Sequence, residues 1–473
     1  MEERAKIAPG LPREQPTVPY WSLIHTSHLA HFRSSPDLPT HVDSVVIGSG
    51  ISGSSIAHNI LSTRPEASVV LLEARGAVSG ATGRNGGHTK AASYRSFLNH
   101  ERRYGTEEAI KIARLEFENM KRTHELAREL GIDCASRPCD SVDIIYSQHQ
   151  LEMGKKAINR MVETMGADDS AARYDVWTAA QAQERFLSPN ALGAFSYPAG
   201  SISGYQFTLG ILKLALEKGL NLQTDTPVLS IEHNATANKW LAQTSRGMVT
   251  ASNLILATNG YTAHLLPEMQ GLIVPMHGQV VAQRPGAGLP PQGIPTTFSY
   301  IVETGYDYMI SRPPGTTNAG DIIIGGGIHQ LPDDGASRFG NTDDTSLDPT
   351  ITDYLRRCTA EFFGSKWGDD HSEGRIRHDW SGIMGASADG LPYVGPVPNR
   401  PEGLWMCASF NGHGMVWCLK SAEALVEMML GNDVSERKVD LWFPSAARLT
   451  ESRMQMKFRG GDWQASGTDQ DWL

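Results

Sequence analysis

The 473-residue chain has no lysine- or arginine-dense run, and its 52 acidic residues outnumber its 42 lysines and arginines, for a formal net charge of -10. Nucleic acid and anionic membrane surfaces therefore find no electrostatic footprint on it and are excluded as partners. Long apolar runs are missing too: Met415 to Leu430 is interrupted by Lys420, Glu423 and Glu427 and cannot span a bilayer. The opening segment MEERAKIAPGLPREQPTVPYW is charged and proline-rich. It lacks the apolar core of a secretory signal, which points to a cytoplasmic protein. Cysteine is scarce: Cys134, Cys139, Cys358, Cys407 and Cys418 form no CxxC pair. That argues for reduced thiols and against both a disulfide framework and a metal site. There is no internal repeat.

What is present reads as an ordinary globular chain, 40% hydrophobic and 20% charged, long enough for two or so domains. Residues 1–40 carry Pro9, Pro12, Pro16, Pro19, Pro36 and Pro39, so they are expected to form an extended arm. Ser44–Ile47 reads as a buried strand, Ile51–Ser62 as a helix and Ser68–Glu73 as a second buried strand, a βαβ unit of an α/β sheet. Long amphipathic helices are predicted over Thr106–Leu130 and Gln148–Met165. Strand-like runs such as Val274–Gln283 and Asp321–Gly325 alternate with Pro/Gly-rich loops between about 265 and 379. A last strand near Leu404–Phe410 precedes a helix over Gly414–Leu430.

Between the first strand and helix stands Gly48-Ser49-Gly50-Ile51-Ser52-Gly53, a G-x-G-x-x-G fingerprint. Its glycines permit a tight turn, close approach of a pyrophosphate and close helix packing, while the helix N-terminus offers amides to phosphate. Glu73 ends the second strand, where a carboxylate accepts ribose hydroxyls and repels a 2′-phosphate. The bound group is then an unphosphorylated adenosine dinucleotide, NAD or FAD.

Two further features choose between them. The first is Gly80-Ala81-Thr82-Gly83-Arg84-Asn85-Gly86-Gly87-His88, a lone arginine among glycines. The second pairs Trp380-Ser381-Gly382-Ile383-Met384-Gly385 and the following Asp389-Gly390 with Phe410-Asn411-Gly412-His413-Gly414-Met415. With Ala257-Thr258-Asn259-Gly260, these segments resemble the D-amino-acid-oxidase-like family of FAD-dependent amine oxidoreductases from about Pro19 to Leu430. The G-R-N-G-G loop and the lead-in Pro19-Tyr20-Trp21 are most similar to its gamma-glutamylputrescine oxidase-like branch.

The resemblance implies a discontinuous, glutathione-reductase-type Rossmann-like FAD-binding domain made of residues 41–100, 205–264 and 380–432. It implies a second, α+β substrate domain on a mostly antiparallel sheet, from 101–204 and 265–379, with 433–473 as a C-terminal tail. FAD would be held by Gly48, Gly50, Ile51, Ser52, Gly53, Glu73, Ala74 and Arg75, by Thr82, Arg84, Asn85, Gly86, Gly87 and His88, and by Val228, Gly260, Gly412, His413, Gly414 and Met415. No cysteine stands in Gly382-Ile383-Met384, where some relatives attach the flavin, so noncovalent FAD is expected; a link through His88 stays open. Relatives that oxidise glycine or D-amino acids place a carboxylate-binding arginine where this chain has Met384, which puts that grip in doubt. Arg312 is a substitute candidate.

The expected reaction is oxidation of a CH–NH bond of a primary or secondary amine to an imine, with O2 reoxidising the flavin to H2O2. An amine must be neutral to donate hydride, and a dry aromatic pocket of Tyr306, Tyr308, Trp380 and Phe410 favours that form. His413, His277 and Trp380 are the catalytic candidates, with Tyr306, Tyr308, Arg312, Met384 and Phe410 toward the substrate. The alternatives are a flavin dehydrogenase with another acceptor and a flavin-binding scaffold without activity. No oligomeric state is implied. If Arg84 places positive charge beside the cofactor, Arg84→Ala will weaken FAD retention or shift its redox potential. Unchanged affinity and spectrum would make Arg84 a surface ion-pair partner.

Overall fold

Val69–Leu72 is four apolar residues without alternation, and all four are buried. A strand covered on both faces belongs inside a parallel sheet, and its neighbours are parallel on either side: His41–Ile47 and Asn221–Gln223. His41–Ile47 pairs in parallel with Gly247–Leu256, and that strand with Leu404–Ala408. Tyr393–Pro396 closes the edge antiparallel to Leu404–Ala408. The hairpin Val228–Asn234 and Lys239–Thr244 joins the sheet through Gly247–Leu256. The computed structural model describes residues 1–431 and 438–458.

Helices Ile51–Thr63, Gly204–Glu217 and Cys418–Leu430 pack together on one face of this sheet. Their buried faces carry Ile56, Ile60, Leu212 and Leu425. Apolar burial on this scale is the dominant favourable term in folding. The expected βαβ unit and its neighbours are present, with ends within a few residues of those read from the sequence.

The second sheet is mostly antiparallel and runs Ile376–Ser387, Ile273–Gln283, Ile322–Gly325, Tyr306–Ser311, Thr297–Ile301, Arg137–Ile145, Gly193–Ser201 and His88–Thr89, with Asp175–Thr178 on Gly193–Ser201. Thr297–Ile301 and Arg137–Ile145 are a parallel pair within it. Helix Pro349–Phe363 packs on it through Ile351, Leu355 and Cys358. The segments 41–100 and 380–432, read as parts of the dinucleotide domain, contribute to this second sheet as well: His88–Thr89 pairs with Gly193–Ser201, and Ile376–Ser387 pairs along Ile273–Gln283. Both segments thereby supply an end strand of the second sheet.

Residues 1–40 are docked along their length, not loose. Tyr20 and Trp21 are among the largest fully buried side chains, Thr17 N donates to Asp344 O at 2.7 Å, and the Arg4 guanidinium bonds Phe339 O and Ser337 O. Two short helices, Glu2–Ala5 and Tyr20–Ile24, interrupt the extended course.

Of the segment 433–473 read as a tail, 433–437 and 459–473 lie outside the described residues, while 438–458 packs. Arg453 grips Asp389 with two hydrogen bonds, Nε to Oδ2 at 2.7 Å and Nη2 to Oδ1 at 2.8 Å, and caps the Pro392 and Leu391 carbonyls. Both partners are buried. The Asp389-Gly390 turn thus serves as a latch for the C-terminal segment. Asp389→Asn, which leaves the guanidinium buried without its charge partner, is expected to cost about 3–5 kcal/mol. A thermal midpoint within a degree of the parent's would contradict this.

Candidate active site

Gly48 has φ 104°, and a Cβ on it would lie 2.6 Å from the Ala257 carbonyl oxygen. A Cβ on Gly53 would lie 1.9 Å from the Gly48 carbonyl oxygen. Only glycine lets the helix start sit this close to the strand ends. Gly50 occupies the N-cap and supplies no side-chain cap. Thr82 Oγ1 takes the Ile51 amide at 3.0 Å, so the turn presents its remaining leading amides to a ligand.

Glu73 is anchored at the same edge. Its Oε2 accepts from the Ser49 amide at 2.9 Å and the Ser49 hydroxyl at 2.7 Å, and its Oε1 accepts from the Arg75 amide at 2.9 Å. The remaining acceptor capacity of a carboxylate fixed this way suits a pair of ribose hydroxyls.

A cavity of about 630 Å³ runs from Glu73 and Val228, past Gly50 and Thr82, to Tyr306, Tyr308 and the Gly412–Met415 turn. Its walls come from both sheets. Of the residues singled out in the sequence, Gly48, Gly50, Ile51, Ser52, Glu73, Ala74, Arg75, Thr82, Arg84, Asn85, Gly86, His88, Val228, Tyr306, Tyr308, Met384, Phe410, Gly412, His413, Gly414 and Met415 all line it. Gly53, Gly87 and Gly260 stand behind the wall. A Cβ on Gly260 would press 2.4 Å from Met384 O.

Three expected contributors do not reach the cavity. His277 sits in a strand whose neighbours Met276 and Gly278 face inward, so the two-residue alternation turns the imidazole away, toward Ser346 and Arg338. Trp380 lies behind the wall, donating its Nε1–H to Arg84 O at 2.7 Å and stacking on Tyr20. Arg312 is buried against Trp21 and donates to Thr317 O at 3.1 Å. It therefore does not replace the arginine missing at Met384.

Arg84 is 3% exposed, which removes the surface ion-pair reading. It donates to Ser79 O at 2.7 Å, Ser381 O at 2.7 Å and Thr17 Oγ1 at 3.2 Å. Its side chain thus ties the glycine loop to the second sheet and the N-terminal arm. Burial pulls its pKa down to about 10, opposed by Asp344, whose carboxylate also pairs with Arg75 at 2.9 Å.

The imidazoles are neutral. Desolvation, reinforced by Lys90 and Arg95, holds His413 down at about 4 while the ring bonds the Ala91 backbone. Desolvation holds His88 well below its usual value, and neither of its ring nitrogens has a hydrogen-bond partner among the described residues. The turn itself is braced from below. Asn259 Oδ1 accepts from the Ser409 and Phe410 amides at 3.0 and 3.3 Å. From helix Thr106–Glu129, Asn119 Nδ2 donates to Met415 O at 3.1 Å, and Glu116 accepts from Trp417 Nε1 at 3.0 Å. Burial raises Glu116 to about 7.

Sequence reasoning passed over these braces and Lys90. The signals were there: Glu116, Asn119 and Thr123 fall on the apolar face of a predicted helix, and Lys90 shares the period-two face of His88. Gly10, Leu11 and Pro12 of the arm also line the cavity.

An uncapped glycine turn at a helix N-terminus, an anchored acid at the adjacent strand end, unpartnered ring nitrogens on His88 and an elongated cleft together fit a flavin adenine dinucleotide. Comparison with known proteins agrees. The family model described as DAO, FAD dependent oxidoreductase, matches residues 43–428. Gamma-glutamylputrescine oxidoreductase of Escherichia coli (strain K12) is 24% identical over 399 residues, 83% of this chain and 84% of that protein. Probable oxidoreductase OrdL of Rhizobium meliloti (strain 1021) is 23% identical over 431 residues, 89% of this chain and 91% of that protein. The crystal structure of glycine oxidase from Geobacillus kaustophilus shares the fold, with a TM-score of 0.68 at 18% identity over 87% of this chain and 99% of that one.

Gly50→Ala directs a methyl 3.2 Å from Thr82 Oγ1, at the cavity wall. It is expected to lower the FAD content of the purified protein while leaving the apoprotein's thermal midpoint nearly unchanged. Full FAD content in this variant would place the pyrophosphate elsewhere.

Proposed function

The chain belongs to the DAO family of FAD-dependent oxidoreductases, and from that premise we propose that it oxidises the CH–NH bond of a small amine or amino-acid derivative to an imine, with O2 as the final acceptor. The observation that carries this reading is one continuous cavity joining the Glu73 end to a chamber of Tyr306, Tyr308, Phe410, His88 and His413. Bound FAD would supply a two-electron acceptor for the hydrogen on the amine-bearing carbon. In balance, amine plus O2 yields imine plus H2O2: two electrons and two protons leave the C–H and N–H bonds.

The protein's part is to bind, orient and keep dry. Glu73 and the Gly48–Gly53 turn hold the adenosine and pyrophosphate, and Val228 lies where the adenine would rest. Thr82, Asn85 and Gly86 shape the wall along the ring system, with Gly87 behind it, and noncovalent attachment follows from the lack of a cysteine among Gly382, Ile383 and Met384. Met384 and the aromatic rings line the substrate side. Excluding water there penalises an ammonium and favours the neutral amine that can donate hydride. His413, neutral at physiological pH, is placed to accept a hydrogen bond from a substrate N–H without adding charge. The segments 41–100, 205–264 and 380–432 carry most of the cofactor's contacts in this reading, and 101–204 with 265–379 most of the substrate's.

A second reading has one observation in its favour: the fold is also similar to L-proline dehydrogenase from P. horikoshii, with a TM-score of 0.64 at 19% identity. In that case the electrons leave to an acceptor other than O2. Anaerobic mixing of the holoenzyme with secondary amines, polyamine derivatives and amino acids separates the readings. The expected result is bleaching of the flavin by at least one amine and rapid recovery in air; slow recovery favours a dehydrogenase, and no bleaching a scaffold. With a reactive amine, kcat/KM should rise with pH as the substrate ammonium, with a pKa of about 10.4 in water, loses its proton. No inflection near pH 6.5 is expected, because His413 has already lost its proton there. An inflection at that pH would contradict its neutral state.

A further inference from the structure

Lys90 is 6% exposed, lines the cavity and has no carboxylate within ion-pairing distance among the described residues. Its ammonium donates to Ser299 Oγ and lies 4.7 Å from the centre of the Tyr306 ring. The nearby acid, Asp143, is already committed. It accepts from Arg95 Nε at 2.9 Å, Tyr94 OH at 2.7 Å and Tyr197 OH at 2.8 Å. Arg95 sits 4.6 Å from the same Tyr306 ring, so two cations approach one aromatic and one buried carboxylate answers them.

Among the described residues the cavity offers no other counter-charge at this end. Its two acidic lining residues are Glu73, tied to Ser49 and Arg75, and Asp334, which is exposed. His88 and His413 face Lys90 as neutral rings. Burial and Arg95 push the lysine well below its usual pKa, the mark of a cation short of a partner. A buried cation is stable only with an opposite charge and further hydrogen bonds.

Resting on the amine-oxidation reading, we propose that Lys90 is the residue of this chain that receives an acid group carried by the amine, and so sets a preference for acid-bearing amines over simple alkylamines and diamines. The carboxylate completes the charge count that Asp143 leaves open. A second ammonium in its place would meet Lys90 and Arg95, with the nearby Asp143 already taken by Arg95 and two tyrosines. The grip comes from the second sheet's His88–Thr89 edge, on the opposite side of the sheet order from Met384 in Ile376–Ser387, which explains how the chamber manages without an arginine at Met384.

The test uses holoenzyme of the parent, Lys90→Met and Lys90→Arg, each with its FAD content verified. N-methylglycine, N-methyl-β-alanine and N-methyl-4-aminobutanoate are compared with N-alkylamines of matching length that lack the carboxylate, by anaerobic flavin reduction. The parent should prefer the acid-bearing member. Lys90→Met should lower that preference on the order of 10- to 100-fold, the loss of one charge-assisted hydrogen bond, chiefly through KM, and Lys90→Arg should restore part of it. Acetate, propionate and butanoate, titrated against the flavin absorbance, give a readout independent of turnover: at least one should bind the parent and lose affinity in Lys90→Met. Equal loss for both amine classes, or carboxylate binding unaffected by the substitution, would overturn the proposal. If no amine bleaches the flavin but a carboxylate still binds through Lys90, the amine reading fails and the anion site stands. If no carboxylate perturbs the parent's spectrum and the parent shows no preference for acid-bearing amines, the anion site fails.

Discussion

A backbone contact governs the architecture: the start of helix Ile51–Thr63 lies against the Gly48 carbonyl, with no room for a Cβ at Gly53. Gly48 itself presses on the Ala257 carbonyl at the end of the neighbouring parallel strand. This approach brings the helix N-terminus to the carboxyl edge of the sheet, where its amides and the anchored Glu73 face one cleft. A side chain at either glycine would lift the helix away and separate those donors from the acid. The cleft is therefore a product of sterics at the strand ends, and the chemistry of the pocket is laid over it.

The second constraint is the seam between the two sheets. Buried Asp344 pairs with Arg75 and lies 3.8 Å from Arg84, while Arg84 reaches Ser381 of the second sheet and Thr17 of the arm. Satisfied buried polar networks of this kind specify one arrangement, because each member left unpaired would carry a desolvation cost. The arm is part of that arrangement. Its Thr17 bonds both partners, and its Gly10, Leu11 and Pro12 complete the cavity wall. The arginine among glycines is best understood as a strut that holds the cofactor loop against the second sheet.

Charge divides the cavity into two ends. Near Glu73 a fixed carboxylate meets amide donors, a setting for neutral hydroxyls and phosphate. Near Tyr306 and His413 the rings are neutral or aromatic, and Lys90 is a cation with no carboxylate within ion-pairing distance among the described residues. Low polarity there strengthens whatever electrostatic contact a substrate makes, and the same dryness keeps His413 uncharged. No helix among the described residues is long and apolar enough to cross a membrane.

The sequence by itself determined the local elements and the identity of the nucleotide turn, because these depend on short-range rules. Glycine spacing, unbroken apolar strands and helical periodicity place Gly48–Gly53, Val69–Leu72 and the helices Thr106–Glu129 and Gln148–Met165 almost to the residue. The glycine loop and the Gly412–Met415 turn were legible through their resemblance to the family's motifs. Which side chains meet across distant strands was decided by tertiary structure alone. Strand alternation turns His277 outward, Trp21 sequesters Arg312, and Trp380 backs Arg84 instead of facing substrate. Lys90 acquires its meaning only because Asp143, some fifty positions away, is occupied by Arg95 and two tyrosines. Such pairings depend on long-range register and on the order of strands in the second sheet, which no local pattern encodes.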